Sequence, residues 1–291
     1  MYYLPEVITN KVEAILGKDI VDVKPVSGGD INEARLLKTQ DGASYFVKVN
    51  SGKDSFAMFQ AEQQGLRLLQ RNAPEKLYIP DLIAVEETGD SALLLLEYIN
   101  TGPVTPGFWR SFGQGLAELH KTTQDQFGLD HANFIGRLPQ SNEPADTWAE
   151  FYTRQRLIPQ GKMAYENRLF DLKDMQQLEK LCKRLSEIFP AEPPALIHGD
   201  LWNGNYLIRQ NGQAVLIDPS VSYSHREMDL AMSRLFGGFP EEFYAAYQDQ
   251  YPLSPGWAER LPFGQLYYLL VHLNMFGSGY LSGVKRILKS F

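Results

Sequence analysis

The stretch His198-Gly199-Asp200-Leu201-Trp202-Asn203-Gly204-Asn205, followed by Ile217-Asp218-Pro219, decides how the rest of the chain is read. Asp200 and Asn205 stand five residues apart, and Asp218 comes 18 residues after Asp200, at the end of a short β-rich run from Ala214 to Ile217. Asn211-Gly212 supplies a tight turn between that run and the preceding one, Tyr206 to Arg209. Asp and Asn in such a loop can simply satisfy backbone groups of a turn. A hairpin that returns a second carboxylate to the same loop favours chemistry instead. Phosphoryl transfer needs a carboxylate to orient an attacking hydroxyl and accept its proton, and hard oxygens to hold Mg²⁺ on phosphates. Asp200 suits the first role, Asn205 and Asp218 the second. Metal-dependent hydrolysis by His198, Asp200 and Asp218 is a different reading, but it lacks the further His and carboxylate ligands that such sites gather.

Upstream, the chain supplies the other half of a nucleotide site. Asn32 to Thr39 and Ser44 to Val49 read as strands joined at Asp41-Gly42, and Tyr78 to Val85 and Ala92 to Ile99 as two more. Between the pairs, Phe59, Leu66 and Leu69 mark the apolar stripe of a helix from Ser55 to Gln70. Lys48 is a charge inside an apolar strand, able to reach phosphates, and Glu62 lies on the inward stripe of the helix, where a buried carboxylate needs a partner. Gly28 and Gly29 precede a strand, where a glycine-rich hairpin lets backbone amides approach phosphates. Glu97, Tyr98 and Ile99 end the last strand, at the place where adenine would meet backbone donors and acceptors. Asn100-Thr101-Gly102-Pro103 then reads as a linker.

Beyond the linker the pattern turns helical, at about 107–122, 146–160, 174–188, 226–236, 240–250 and 257–276. The expected fold is therefore α+β and two-lobed: a small β-rich N-terminal lobe over 1–99 that binds ATP, and a larger, mostly helical lobe over 100–291. This is the layout of a protein-kinase-like fold, and the spacing of Asp200 and Asn205 is that of a kinase catalytic loop.

Composition sets the outer bounds. The 291 residues carry 28 basic and 35 acidic side chains for a net charge of −7, without a basic cluster, which disfavours nucleic acid. No apolar run approaches the length of a membrane span, and Met1 to Leu16 lacks the pattern of a secretory signal. The single cysteine, Cys182, reads as a small apolar side chain in a helix and fits a reducing compartment. A cytoplasmic protein without a membrane partner is expected. His120 and His272 lie in apolar helical contexts that suit hydrogen-bonded core histidines.

Taken together, Gly28-Gly29-Asp30-Ile31-Asn32, the Lys48 and Glu62 pair, the His198 to Asn205 loop and Ile217-Asp218-Pro219 resemble the fructosamine (ketosamine) 3-kinase family, relatives of the aminoglycoside phosphotransferases. Segments without a role in generic kinase chemistry match too, among them Leu116-Ala117-Glu118-Leu119-His120, Gln140 with Asn142, Trp148 with Phe151, His225-Arg226-Glu227 with Asp229, and His272-Leu273-Asn274. The resemblance implies ATP-dependent phosphorylation of the 3-hydroxyl of a ketosamine, free or on a glycated protein lysine. The product is unstable and releases its amine, so the outcome is deglycation. It implies Asp200 as base, Asn205 and Asp218 as Mg²⁺ ligands, Lys48 on the phosphates with Glu62 as anchor, and His198 and Asp229 as braces of the loop. Trp202, His225, Arg226, Glu227 and His272 are expected to line the acceptor pocket. A kinase for choline or an aminoglycoside, and a nucleotide-binding pseudokinase, remain alternatives.

Overall fold

The computed structural model describes residues 4–26 and 32–291. A helix, α1 (Glu6–Leu16), opens the chain and packs Ile8 and Val12 against a five-stranded antiparallel sheet. That sheet has the order β1 (Ile20–Pro25), β2 (Glu33–Thr39), β3 (Ser44–Asn50), β6 (Ser91–Glu97), β5 (Leu82–Thr88). Helix α2 (Ser55–Asn72) lies across β5 and β6, with Phe59, Leu66 and Leu69 buried as their helical spacing predicts.

The single strand expected from Tyr78 to Val85 is two. Pro80, which has no N–H for a ladder, separates β4 (Leu77–Tyr78) from β5. The pieces join different sheets: β4 pairs in parallel with the C-terminal hairpin of β10 (Tyr206–Ile208) and β11 (Ala214–Leu216). The linker is also strapped down, with Thr101 bridged to Arg209 and the Gly102 amide donating to the Ile208 carbonyl at 2.8 Å. Side chains from both halves share one apolar core, in which Phe59, Leu66 and Leu94 meet Phe112, Leu216 and Val221.

The C-terminal half is helical: α3 (Phe108–Leu119), α4 (Trp148–Phe151), a π-helical turn (Tyr152–Leu157), α5 (Ile158–Glu166), α6 (Leu172–Cys182), α7 (Leu185–Ile188), α8 (Glu227–Leu235), α9 (Glu241–Gln250), α10 (Trp257–Phe276) and α11 (Leu281–Leu288). Two of the expected helices thus start or break elsewhere. The helix expected over 146–160 starts after the Thr147 cap and runs through the π turn to Glu166. The one expected over 174–188 starts at Leu172, behind a capping box of Asp171 and Asp174, and divides after Cys182. Three short strands, β7, β8 and β12, are new: β7 (Asn133–Ile135) pairs with β8 (Leu138–Gln140), and β12 (Ser222–Ser224) pairs with β9 (Ala195–Ile197), which was expected from Leu196 to His198. Among the described residues no helix is long and apolar enough to cross a membrane.

Candidate active site

The site forms where β3 and α2 of the N-terminal half face the loop after β9 and the turn after β11. Lys48 sits mid-strand, opposite Ala34 and Leu94 in register, and is 5% exposed. Its ammonium donates to Glu62 Oε1 at 2.7 Å and to Asp218 Oδ1 at 2.5 Å. Burial alone would push the Lys48 pKa down, but the adjacent charges of Asp218 and Glu62 more than reverse it and hold the ammonium above its ordinary range. The lysine therefore stays charged at any physiological pH.

Asp218 has φ +55°, a left-handed conformation that is uncommon outside glycine and easier for Asp than for a bulky residue. That turn lifts its carboxylate out of the strand line, and its side chain stays 40% exposed while Glu62 is 13% exposed. Gly199 is left-handed too, at φ +84°, and a Cβ there would lie 1.9 Å from the Ser220 carbonyl oxygen. The loop after β9 and the segment after Asp218 therefore touch backbone to backbone.

Asp200 is half-buried. Its carboxylate accepts from Asn205 Nδ2 at 2.9 Å, and the same amide donates to the Asp200 carbonyl at 2.8 Å. Burial pushes the Asp200 pKa up to about 7, the charges of Asp218 and Asp229 push the same way, and the Asn205 amide opposes them. His198 Nε2 donates to the Ile217 carbonyl, which leaves Nδ1 to accept the Asp200 amide at 3.3 Å. Burial keeps this imidazole neutral by lowering its pKa. Beneath them Asp229 accepts the amides of His198 and Gly199 at 2.7 and 2.8 Å, and His120 Nε2 at 3.1 Å. Burial would raise the Asp229 pKa, but these hydrogen bonds, that from His120 foremost, hold it below the ordinary value.

The structure brings Lys48, Glu62 and Asp218 into one cluster and joins His198, Asp200, Asn205 and Asp229 in one bonded loop. Glu97 is placed at the end of β6, where its carboxylate accepts the Asp81 amide at 2.9 Å; Tyr98 is half-buried and Ile99 is 7% exposed. Gly28 and Gly29 lie outside the described residues.

The run His225-Arg226-Glu227 is buried where α8 begins. His225 is 0% exposed, wedged between the rings of Trp148 and Phe189. Arg226 forms a two-pronged pair with Glu192 at 2.6 and 2.9 Å and bonds the carbonyls of Tyr251 and Pro252, while Glu227 pairs with Arg260 at 2.6 Å. The Arg226 and Glu227 side chains tie α8 to the chain around it, while His225 Nε2 is buried without a hydrogen-bond partner among the described residues. Trp202 and His272, by contrast, are half-buried and share a neighbour that sequence reasoning missed. Phe236 lies 6.0 Å from Trp202 and 4.7 Å from His272, and Tyr280 lies 5.1 Å from His272 on the other side. His272 Nδ1 donates to the Tyr268 carbonyl at 2.8 Å, and burial lowers its pKa, so the ring is neutral with Nε2 as an acceptor.

Among the described residues no three His, Cys, Asp or Glu side chains gather as a metal site. A cation held by Asn205 and Asp218 would need phosphate oxygens to complete its shell, which is how Mg²⁺ is ordinarily bound at nucleotides. The donor set fits: Asn205 bonds Asp200 through its nitrogen, leaving its amide oxygen free of described partners, and the Asp218 carboxylate is open on one side.

A β-rich lobe carrying a lysine–glutamate pair above a helical lobe with an Asp-x4-Asn loop defines a kinase-like phosphotransferase. The chain belongs to the fructosamine kinase family, whose model matches residues 5–291. It is 44% identical to a "Probable ketoamine kinase" of Lactiplantibacillus plantarum over 275 residues, 94% of this chain and 95% of that one. The crystal structure of a fructosamine-3-kinase-type protein from Thermobifida fusca superposes with a TM-score of 0.85 at 32% identity, covering 97% of each chain. An aminoglycoside phosphotransferase captured with ADP and hygromycin B shares the fold at a TM-score of 0.64 and 16% identity, over 97% of this chain and 98% of that one.

Proposed function

We propose that this chain is a cytoplasmic enzyme that transfers the γ-phosphoryl group of ATP to the 3-hydroxyl of a ketosamine, a sugar adduct of a small amine or a protein lysine, and so initiates deglycation. Residues 1–99 serve as the nucleotide-binding lobe and 100–291 as the catalytic and acceptor-binding lobe. The observation that carries this reading is Lys48 of β3 held between Glu62 and Asp218, with the bonded Asp200–Asn205 loop on the same C-terminal half.

Each residue then has a physical task. Lys48 has three N–H donors; Glu62 and Asp218 take two, and the third is left for the α- and β-phosphates. Glu62 fixes the ammonium without exposing it. Asp218 and Asn205 would hold Mg²⁺, which neutralises phosphate charge when bound. Asp200 accepts the proton of the acceptor hydroxyl, oriented for it by Asn205, and a pKa of about 7 matches that proton transfer to neutral pH. Trp202, with Phe236 and His272, supplies an aromatic wall for the acceptor, and His272 Nε2 a hydrogen-bond acceptor for one of its polar hydrogens. Backbone groups at Glu97 to Ile99 serve the adenine, and Gly28-Gly29 the phosphates.

The test is ADP release with MgATP across fructosamine, ribulosamine, erythrulosamine, choline and aminoglycosides. A ketosamine should give the highest kcat/KM. A higher value for choline or an aminoglycoside would overturn the substrate class and leave the kinase standing; no turnover with any acceptor would favour a pseudokinase. A second expectation follows from Asp200. Because the base works only when ionised, kcat/KM for the acceptor should rise about tenfold per pH unit up to about pH 7 and level off above it. A profile flat between pH 5.5 and 8 would contradict this.

A further inference from the structure

A buried polar network bonds the segment that follows Asp218, at Ser220 and Val221. Asn133 on β7 and Gln140 on β8 are partners in register, and both are 4% exposed. Gln140 Nε2 donates to Asn133 Oδ1 at 2.8 Å and to Ser220 Oγ at 3.0 Å, while its Oε1 accepts the Tyr267 hydroxyl at 2.5 Å. Both amide hydrogens are thereby used and the side chain has a single orientation. Ser220 Oγ donates to the Phe134 carbonyl at 2.8 Å, and Asn133 Nδ2 donates to the Val221 carbonyl at 2.8 Å. From the other end, the π-helical turn carries Arg156 inward, where its guanidinium donates to Asn142 Oδ1 at 2.6 Å; Asn142 donates in turn to Asn133 Oδ1 at 2.9 Å.

The consequence lies two residues from Asp218. Pro219 has a fixed φ, so the left-handed Asp218 is coupled rigidly to Ser220. Ser220 is pinned twice: its amide donates to the His198 carbonyl at 2.9 Å, and its hydroxyl is bracketed by Gln140 and Phe134. A cavity of about 10 Å³, lined by Gln140, Arg156, Gly199, Ser220 and Tyr267 among others, adjoins the contact. Generic phosphoryl transfer asks nothing of β7, β8 or the π turn, yet they converge on the strained turn and the catalytic loop.

We propose that Gln140 is a positioning residue for metal binding: through Ser220 and Asn133 it sets where the Asp218 carboxylate stands relative to Asn205. The proposal rests on the kinase reading above. Outer-shell partners of metal ligands are ordinarily worth 10- to 100-fold in affinity or activity.

Gln140→Met keeps the length of the side chain and removes all three hydrogen bonds. The direct measurement is thermal stabilisation by AMP-PNP titrated with Mg²⁺, which needs no turnover. The midpoint Mg²⁺ concentration should rise about tenfold in the variant, with kcat down by a similar factor and acceptor KM within about twofold. Ser220→Ala, a smaller change for the case in which Gln140→Met does not fold, should move the midpoint the same way by about threefold. Tyr244→Phe is the control. It removes a buried hydroxyl bonded to Ser233, remote from the network, and should lower the melting temperature without moving the midpoint. Unmoved midpoints in Gln140→Met and Ser220→Ala, beside normal Mg²⁺-dependent stabilisation of the wild type, would overturn the positioning role alone. A wild type that AMP-PNP and Mg²⁺ do not stabilise would overturn the kinase reading, and this role with it.

Discussion

Asp200→Asn should slow turnover by roughly 10²- to 10⁴-fold and at the same time raise the melting temperature at pH 8. The first effect is the loss of the proton acceptor, with shape and the Asn205 contact retained. The second follows from the raised pKa. An unfolded Asp ionises near pH 4, whereas in the fold burial holds the carboxylate's pKa up to about 7. Between those values the native state binds more protons than the unfolded one, so stability falls as pH rises through the window. The cost is absent below pH 4 and complete above pH 7. A neutral amide never bears it, and the variant should melt roughly 2–6 °C higher at pH 8, with the gain shrinking toward pH 5. Calorimetry of both proteins at pH 5 and 8 checks the second effect, and initial rates check the first. Normal turnover in the variant would remove Asp200 as the base, and a pH-independent difference in melting temperature would remove burial as the cause of its raised pKa.

The elements that carry this chemistry were legible because each has a strong local pattern. The apolar alternation around Lys48, the helical stripe of α2 and the Asn211-Gly212 hairpin are periodic or turn-specific, and all stand within a few residues of the expected bounds. Legibility failed where tertiary context decides. Strands β7, β8 and β12 have three residues each, too few to show a period of two. Helix α1 buries only Ile8 and Val12, a stripe of two residues that is too short to mark a helix by its period. The π turn at Tyr152–Leu157 has no signature in residue types at all, although it delivers Arg156 to the interior.

The site divides in the same way. Lys48 with Glu62 follows from a rule: charges on inward-facing stripes require partners. His225-Arg226-Glu227 has partners that the motif alone does not name. A run of three polar residues at a helix start invites a binding role, yet Glu192 and Arg260, which are distant in sequence, neutralise two of them, and two aromatic rings enclose the third. Phe236 was missed for the opposite reason. An aromatic at the end of a helix reads as core, and only the fold sets it between Trp202 and His272. Gln140 and Asn142 stood out in the sequence, but their partners come from β7 and from the turn after Asp218, so no local rule could name them.

The Lys48 cluster yields the other large effect, because its two carboxylates differ in burial. Lys48→Met leaves Glu62, 13% exposed, without its cation. Stripping one partner from a buried pair ordinarily costs about 3 kcal/mol or more, here blunted as Glu62 takes up a proton. The melting temperature should fall by roughly 6–10 °C, and turnover should drop about 10³-fold as the phosphates lose their cationic anchor. Asp218→Ala removes the 40% exposed partner, and Glu62 still satisfies the lysine. Its melting temperature without ligand should therefore stay within about 2 °C of the wild type, while Mg²⁺-dependent stabilisation by AMP-PNP disappears and turnover falls below detection. The contrast would separate two jobs of one cluster, with Glu62 holding Lys48 in the fold and Asp218 meeting the metal as proposed. Equal loss of stability in both variants would show that Asp218 is a second structural anchor, and retained Mg²⁺-dependent stabilisation in Asp218→Ala would take the metal role away from it.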